Sequence, residues 1–224
     1  MATTIKMVVF DMAGTTVNEE NIVYKTLHQA INNAGYQVSL NDVLAVGAGM
    51  EKLQAIKSIL QTYAGINDED IANDIFQDFS KQLDETYSSS DMSAQPDTLA
   101  AISKLKNKGI LVVLNTGYSD RVARNIVNKL GWQEGVEFDR LITASDVTNG
   151  RPAPDMINLA AQMYSINAAE IIKVGDSIID IEEGKNAGCA MSIGITTGAH
   201  TVEQLQSAQP DHIINNLLEL LPLV

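Results

Sequence analysis

Met7-Val8-Val9-Phe10 is an unbroken apolar run that stops at a lone acid, Asp11. A strand with one wet face alternates apolar and polar residues. An unbroken run is instead covered on both faces, the pattern of a parallel sheet between layers of helices. Gly14, Thr15, Thr16 and Asn18 follow at once, and such residues end a strand and turn the chain. Open α/β sheets bind ligands beyond the carboxyl ends of their strands, which is where Asp11 stands. This acid is therefore expected to be a nucleophile that the rest of the chain serves.

The chain then changes period. Val23, Leu27, Ala30, Ile31 and Ala34 share one helical face, closed by Gly35. A polar connection and the small-residue segment Val46-Gly47-Ala48-Gly49 come next. Leu53, Ile56, Ile59, Leu60 and Tyr63 predict a second amphipathic helix. After a turn that Asn67 or Asp68 can cap, Ile71, Ile75, Phe76, Phe79, Leu83 and Tyr87 predict a third. Residues 19–90 thus form an all-helical unit inserted after the first strand. Ser88 to Pro96 has the composition of a linker.

Beyond the linker, strands and helices alternate. Asp97 caps a helix carrying Leu99, Ile102 and Leu105. Strands are expected at 110–114, 140–143, 171–174, 191–195 and 212–214. Helices are expected from Ser119, over 154–164 and over 181–187, and at the C-terminus. Strands joined by helices of this length imply right-handed crossovers, hence an α/β core with a parallel sheet. The core is expected to comprise residues 1–18 and 91–224.

With 28 acids against 15 bases the net charge is −13, which argues against nucleic acid or an anionic membrane surface as partner. A small anionic substrate remains compatible if a metal ion and local donors make the site positive. No run approaches the ~20 apolar residues of a spanning helix, and the N-terminus lacks the layout of a signal peptide. The single cysteine, Cys189, has no disulfide or metal-ligand companion, so the cytoplasm is the expected compartment. His28 and Trp132 are expected to pack rather than to react.

Polar residues gather at the predicted strand ends. Asp11 ends the first strand, Thr116 the second and Asp176 the fourth, while Arg151 follows the third in Gly150-Arg151-Pro152. Two acids suit a hard divalent cation such as Mg²⁺, completed by water and substrate oxygens. Arginine, threonine and loop N–H groups are donors for a phosphoryl group, which a carboxylate can attack.

Four segments carry a resemblance. They are Asp11-Met12-Ala13-Gly14-Thr15, Val113-Leu114-Asn115-Thr116-Gly117-Tyr118, Gly150-Arg151-Pro152, and Gly175-Asp176-Ser177-Ile178-Ile179-Asp180. In order and spacing the chain resembles the haloacid dehalogenase superfamily, and within it the phosphonoacetaldehyde hydrolase (phosphonatase) branch. The resemblance implies a Rossmann-like core with a small helical cap, a Mg²⁺ cofactor, and a phosphonate or phosphate substrate. It implies Asp11 as nucleophile and metal ligand, with metal ligation also by the Ala13 carbonyl and Asp176. Asp180 is then a further ligand or an acid behind the ligands. Thr116, Gly117 and Arg151 hold the phosphoryl group, with Thr15, Gly49 and Tyr118 near the substrate. Tyr118 either faces the cap or packs beside its loop. Related proteins pair through their caps, so a homodimer is expected.

Phosphatases of this superfamily carry a second aspartate as general acid where this chain has Ala13, and such acids contribute ~10²–10⁴ in rate. The phosphonatase branch also has alanine there. Instead, its cap lysine forms an imine with an aldehyde substrate. Lys52, in Ala48-Gly49-Met50-Glu51-Lys52, matches that lysine, although Ala48 replaces the branch's methionine and Ala55 its histidine. A helix N-terminus and partial burial would favour the neutral amine; the plainer alternative is a solvated lysine on a loosely packed helix start. The expected function is Mg²⁺-dependent cleavage of a phosphonoaldehyde, with a phosphomonoesterase or a catalytically silent binding module as the alternatives.

Overall fold

The computed structural model describes residues 4–18, 20–89 and 92–224. β1 (Met7–Asp11) is buried along its whole length and is followed by a two-residue strand, β2 (Val17–Asn18). Four helices come next: α1 (Ile22–Asn33), α2 (Leu40–Gly47), α3 (Lys52–Ile59) and α4 (Glu69–Ser89). β3 (Ser93–Ala94) then returns antiparallel to β2. The remaining elements alternate as α5 (Thr98–Asn107), β4 (Leu111–Thr116), α6 (Asp120–Lys129), β5 (Arg140–Thr143), α7 (Asp155–Tyr164), β6 (Ile171–Gly175), α8 (Ile178–Ala187), β7 (Met191–Ile195), α9 (Val202–Ser207) and β8 (His212–Ile214).

The main sheet runs β5-β4-β1-β6-β7-β8 with every neighbouring pair parallel. Strand order reverses at β1, since the chain builds outward on one side through β4 and β5 and on the other through β6, β7 and β8. That reversal is the switch point at which such sheets bind ligands, and Asp11 ends the strand that defines it. The unbroken apolar run has the expected cause. Val8 and Phe10 pack into one buried cluster and Met7 and Val9 into another, on the opposite face of the sheet. The first cluster continues into the helical segment through Leu27, Ile31, Ile56, Ile59 and Phe79, so helices and sheet share one apolar interior.

The structure departs from the expectations at several points. The polar connection after Gly35 contains a helix, α2, opened by a capping box between Ser39 and Asp42. Val43 and Gly47 are buried and Leu40 and Leu44 pack partly buried beside them, a stripe of only two turns. Asp68, rather than Asn67, caps α4 by accepting from the Asp70 and Ile71 amides. Tyr63 lies on a π turn over Leu60–Ala64 and is exposed, as are Ala34 and Leu99. Asp97 and Ser119 precede their helices without a side-chain capping bond. The C-terminal helix is a 3₁₀ segment, Leu217–Leu223. Of the expected linker, Ser93 and Ala94 are strand, while residues 90 and 91 lie outside the described residues. The expected unit boundaries at 18/19 and 90/91 fall on residues 19, 90 and 91, outside the described residues. No described helix is long and apolar enough to cross a membrane.

Candidate active site

The register sets Asp11 opposite Asn115, and Thr116 opposite Thr143, so the strand ends stop nearly level. The loop after β1 is wound tightly. The amides of Thr15, Thr16 and Val17 all donate to the Met12 carbonyl, and the Thr16 hydroxyl donates to the Asp11 carbonyl at 3.0 Å. This turn projects the Asp11 side chain past the sheet edge, where it is 5% exposed.

Arg151 sits across Asp11 and ties several strand ends together. One terminal nitrogen of its guanidinium donates to Asp11 Oδ1 at 2.6 Å and lies 2.9 Å from Asp180 Oδ1. The other donates to the Asn115 carbonyl at 2.8 Å and to Asn115 Oδ1 at 2.6 Å, while Nε lies 3.0 Å from Glu183. A second cation lies beneath it. Lys173, fully buried in the middle of β6, donates to Asn115 Oδ1 at 2.6 Å and approaches Asp180 at 2.9 Å and Glu183 at 3.2 Å. Buried charges persist only when paired and hydrogen-bonded, and here each has several partners.

Carboxylate oxygens of Asp11, Asp176 and Asp180 lie within 4.8 Å of one another, all three residues buried. Asp176 accepts from the Ala199 amide at 2.6 Å and faces the Thr15 hydroxyl at 3.4 Å. Gly14 and Gly198 enclose it, since a Cβ at either would fall within 2.4 Å of its Oδ2. Asp180 accepts from the Ser177 hydroxyl at 2.5 Å.

Electrostatics separate the three acids. Burial pushes the Asp11 carboxyl up to about 6 even with the Arg151 guanidinium beside it. Burial, and then the neighbouring Asp11 and Asp180 carboxylates, push Asp176 well above the usual carboxylate range. Burial also works against the Asp180 anion, but Arg151 and Lys173 outweigh it and hold the group below its ordinary value. Three hard oxygen donors that repel one another in a dry pocket suit a divalent cation, which relieves that repulsion. The donor set therefore fits such an ion.

The helical segment reaches this edge through one turn, Ala48 to Glu51. Gly49 has φ +78 and its amide donates to the Tyr24 hydroxyl at 3.0 Å. The turn lies directly on the loop after β4: a Cβ at Gly117 would stand 2.7 Å from the Met50 carbonyl oxygen. Lys52 is not a solvated surface lysine. It is 5% exposed, its ammonium donates to the Met50 carbonyl, and it lies 5.3 Å and 5.2 Å from the ring centres of Tyr24 and Tyr118. Glu51 caps α3 by accepting from the Leu53 and Gln54 amides, so a carboxylate answers the positive helix end beside Lys52. Tyr118 is buried and faces the helical segment. Thr116 Oγ1 accepts from the Tyr118 amide at 3.2 Å, which shapes the loop that Gly117 occupies. Two clefts flank this region. One of about 50 Å³ borders Lys52, Phe79 and Tyr118, and one of about 470 Å³ borders Met50, Glu51 and Arg151.

The residues read from sequence thus fall into two sets in the structure. Asp11, Thr15, Arg151, Asp176 and Asp180 share one polar network at the sheet edge, with Ala13 in the adjoining turn. Gly49, Lys52, Gly117 and Tyr118 form a second, aromatic set against it. Sequence reading missed Asn115, Lys173, Glu183, Tyr24 and His200. Asn115 and Lys173 carried a signal, because a polar residue inside a doubly covered strand must be paired with something. Elsewhere, His28 bonds Asn32 on its own helix, Trp132 is buried, and burial pushes the Cys189 thiol up to about 12.

Known proteins align with this arrangement. The family model for haloacid dehalogenase-like hydrolases matches residues 8–193. A phosphonoacetaldehyde hydrolase of Latilactobacillus sakei subsp. sakei is 28% identical, covering 97% of this chain and 94% of the relative. A phosphoglycolate phosphatase of Vibrio vulnificus is 25% identical, covering 98% of this chain and 96% of the relative. The crystal structure of a phosphonoacetaldehyde hydrolase-like protein from Oleispira antarctica superposes with a TM-score of 0.84 at 21% identity, over 99% of this chain and 92% of that one. On a family match that runs over most of its length, the chain belongs to the haloacid dehalogenase-like hydrolases.

Proposed function

We propose that this hydrolase cleaves the carbon–phosphorus bond of a small phosphonoaldehyde, with the helical segment between β2 and β3 acting as a cap. The observation that carries this is Lys52, which that segment buries at the start of α3 with its ammonium against Tyr118, two residues beyond Thr116. Ala13 supports it, because the chain has no acid there to protonate an alkoxide leaving group.

In this scheme the Lys52 ammonium gives up a proton, its amine adds to the substrate aldehyde, and return of that proton expels water to leave a protonated imine. Asp11 attacks phosphorus, and the electron pair of the breaking carbon–phosphorus bond moves into the imine to give an enamine. The carbon that lost phosphorus takes up a proton, and hydrolysis frees the aldehyde and restores Lys52. Water then cleaves the aspartyl-phosphate, releasing phosphate and Asp11. Arg151, the Thr116 hydroxyl and the Gly117 amide hold the phosphoryl oxygens. Asp11, Asp176, Asp180 and the Ala13 carbonyl would hold Mg²⁺, which neutralises phosphoryl charge when bound.

Borohydride reduction in the presence of phosphonoacetaldehyde tests the imine. Wild type should be inactivated with a mass adduct on the peptide bearing Lys52, and Lys52→Ala should take up none. The phosphoglycolate phosphatase relatives favour a second scheme, direct ester hydrolysis. Undiminished phosphoglycolate turnover by Lys52→Ala, with no borohydride adduct in wild type, would replace the first scheme by the second.

A further inference from the structure

The loop after β7 contains a buried histidine that the proposed chemistry does not use. His200 is 4% exposed, and both ring nitrogens are engaged by backbone groups from different parts of the chain. Nδ1 lies 2.9 Å from the Ile178 amide at the start of α8, and Nε2 lies 3.1 Å from the Leu44 carbonyl in α2. An amide can only donate and a carbonyl can only accept. The ring is therefore neutral with its proton on Nε2, in keeping with the downward pull of burial on this imidazole. One side of the ring thus holds the helix that carries Asp180, and the other holds the helical segment that brings Lys52.

The same loop also grips Asp176. The amides of Ala199 and His200 donate to the Asp176 side chain and carbonyl, and the Thr197 hydroxyl donates to the Gly14 carbonyl at 2.6 Å. Gly198 has no room for a Cβ against Asp176. On the segment's side, Gly49 rests against Ser177, where a Cβ would stand 2.5 Å from its hydroxyl oxygen. The acid loop and the helical segment therefore meet around one ring.

We infer that His200 is a positioning residue, a latch that fixes the helical segment over the acid cluster by joining Leu44 to Ile178. Its relevance to turnover rests on the function proposed above; the mechanical claim does not. Two substitutions divide the ring's jobs by geometry. His200→Asn places an acceptor near Nδ1 but falls short of Leu44, whereas His200→Gln places a donor near Nε2 but leaves the Ile178 amide without its acceptor.

Hydrogen exchange of the full chain, read peptide by peptide with and without Mg²⁺, tests the latch. In His200→Asn, residues 40–52 should exchange about tenfold faster while residues 171–175 are unchanged, the scale of one hydrogen bond lost from a local opening. In His200→Gln, residues 40–52 should stay close to wild type. In turnover, the asparagine variant should raise KM more than it lowers kcat. The latch is overturned if the two variants exchange alike, or if faster exchange spreads evenly into the sheet, as a general loss of stability would cause. The same split in exchange, seen in a protein without phosphonate turnover, would keep the latch and remove only the assigned reaction.

Discussion

The two sides of the candidate site are built by different means. On the sheet side, Arg151, Lys173, Asp180, Glu183 and Asn115 are held by buried charge–charge and hydrogen-bond contacts, each residue with several partners. On the helical side, Lys52 meets the Met50 carbonyl and the Tyr24 and Tyr118 rings, and the Gly49-Met50 turn fits closely on Gly117. The sheet side is a lattice of buried charges; the helical side is packed against it by apolar contact and close backbone approach.

The comparison can be broken most strongly on the sheet side. Lys173→Met leaves Glu183 and Asp180 with one cation fewer in a dry site, and removing one partner of a buried ion pair costs about 3–5 kcal/mol. Urea denaturation should show a loss of that size. A loss under about 1 kcal/mol would mean that the network is slack.

A smaller effect concerns protons. The folded Asp11 carboxyl is raised to about 6, above its unfolded value, so its contribution to stability is full at low pH and is lost as pH rises through 6. Metal-free wild type should therefore gain on the order of 2 kcal/mol over Asp11→Asn between pH 7 and pH 4.5, by one pKa unit per 1.36 kcal/mol. Mg²⁺ in excess at pH 7 should recover much of that stability in wild type and not in the variant. Parallel pH curves for the two proteins would contradict the assignment.

The smallest effect belongs to the helical side. Gly117→Ala sets a methyl group 2.7 Å from the Met50 carbonyl oxygen without altering any buried charge. The atoms it meets are backbone and must shift, so at least about 1 kcal/mol of unfolding free energy should be lost, and kcat/KM should fall about tenfold. Unchanged stability and turnover would show that the segment gives way to the sheet at no cost.

This division also accounts for what could be read from the chain alone. Strand ends were legible because an apolar run closing on Asp11, Thr116 or Asp176 is a local pattern, and the sheet brings such ends together as a matter of topology. Lys52 was legible only through the family resemblance, from its match after Gly49 taken together with Ala13, and it lies against Tyr24, which stands 28 positions earlier on another helix. Lys173 and Asn115 were passed over as strand residues, although their polarity in a doubly buried strand announced a partner. Glu183 and His200 gave no comparable sign, since Glu183 sits on a helix, where acids are ordinary, and pairs with strand residues Asn115 and Lys173 and with Arg151, while His200 joins two separate helices. Helix α2 escaped because its stripe, Leu40, Val43, Leu44 and Gly47, runs for only two turns between polar and small residues.

Both chain connections between the helical segment and the sheet run through the ribbon formed by β2 and β3, where Val17 faces Ala94 and Asn18 faces Ser93. Entry and exit therefore stand side by side, and whatever is spliced between them need only begin and end at neighbouring points. For a lineage of such proteins, this makes the helices an exchangeable cassette. They can lengthen, shrink or acquire new surface residues while β1, β4 and β6 keep their register.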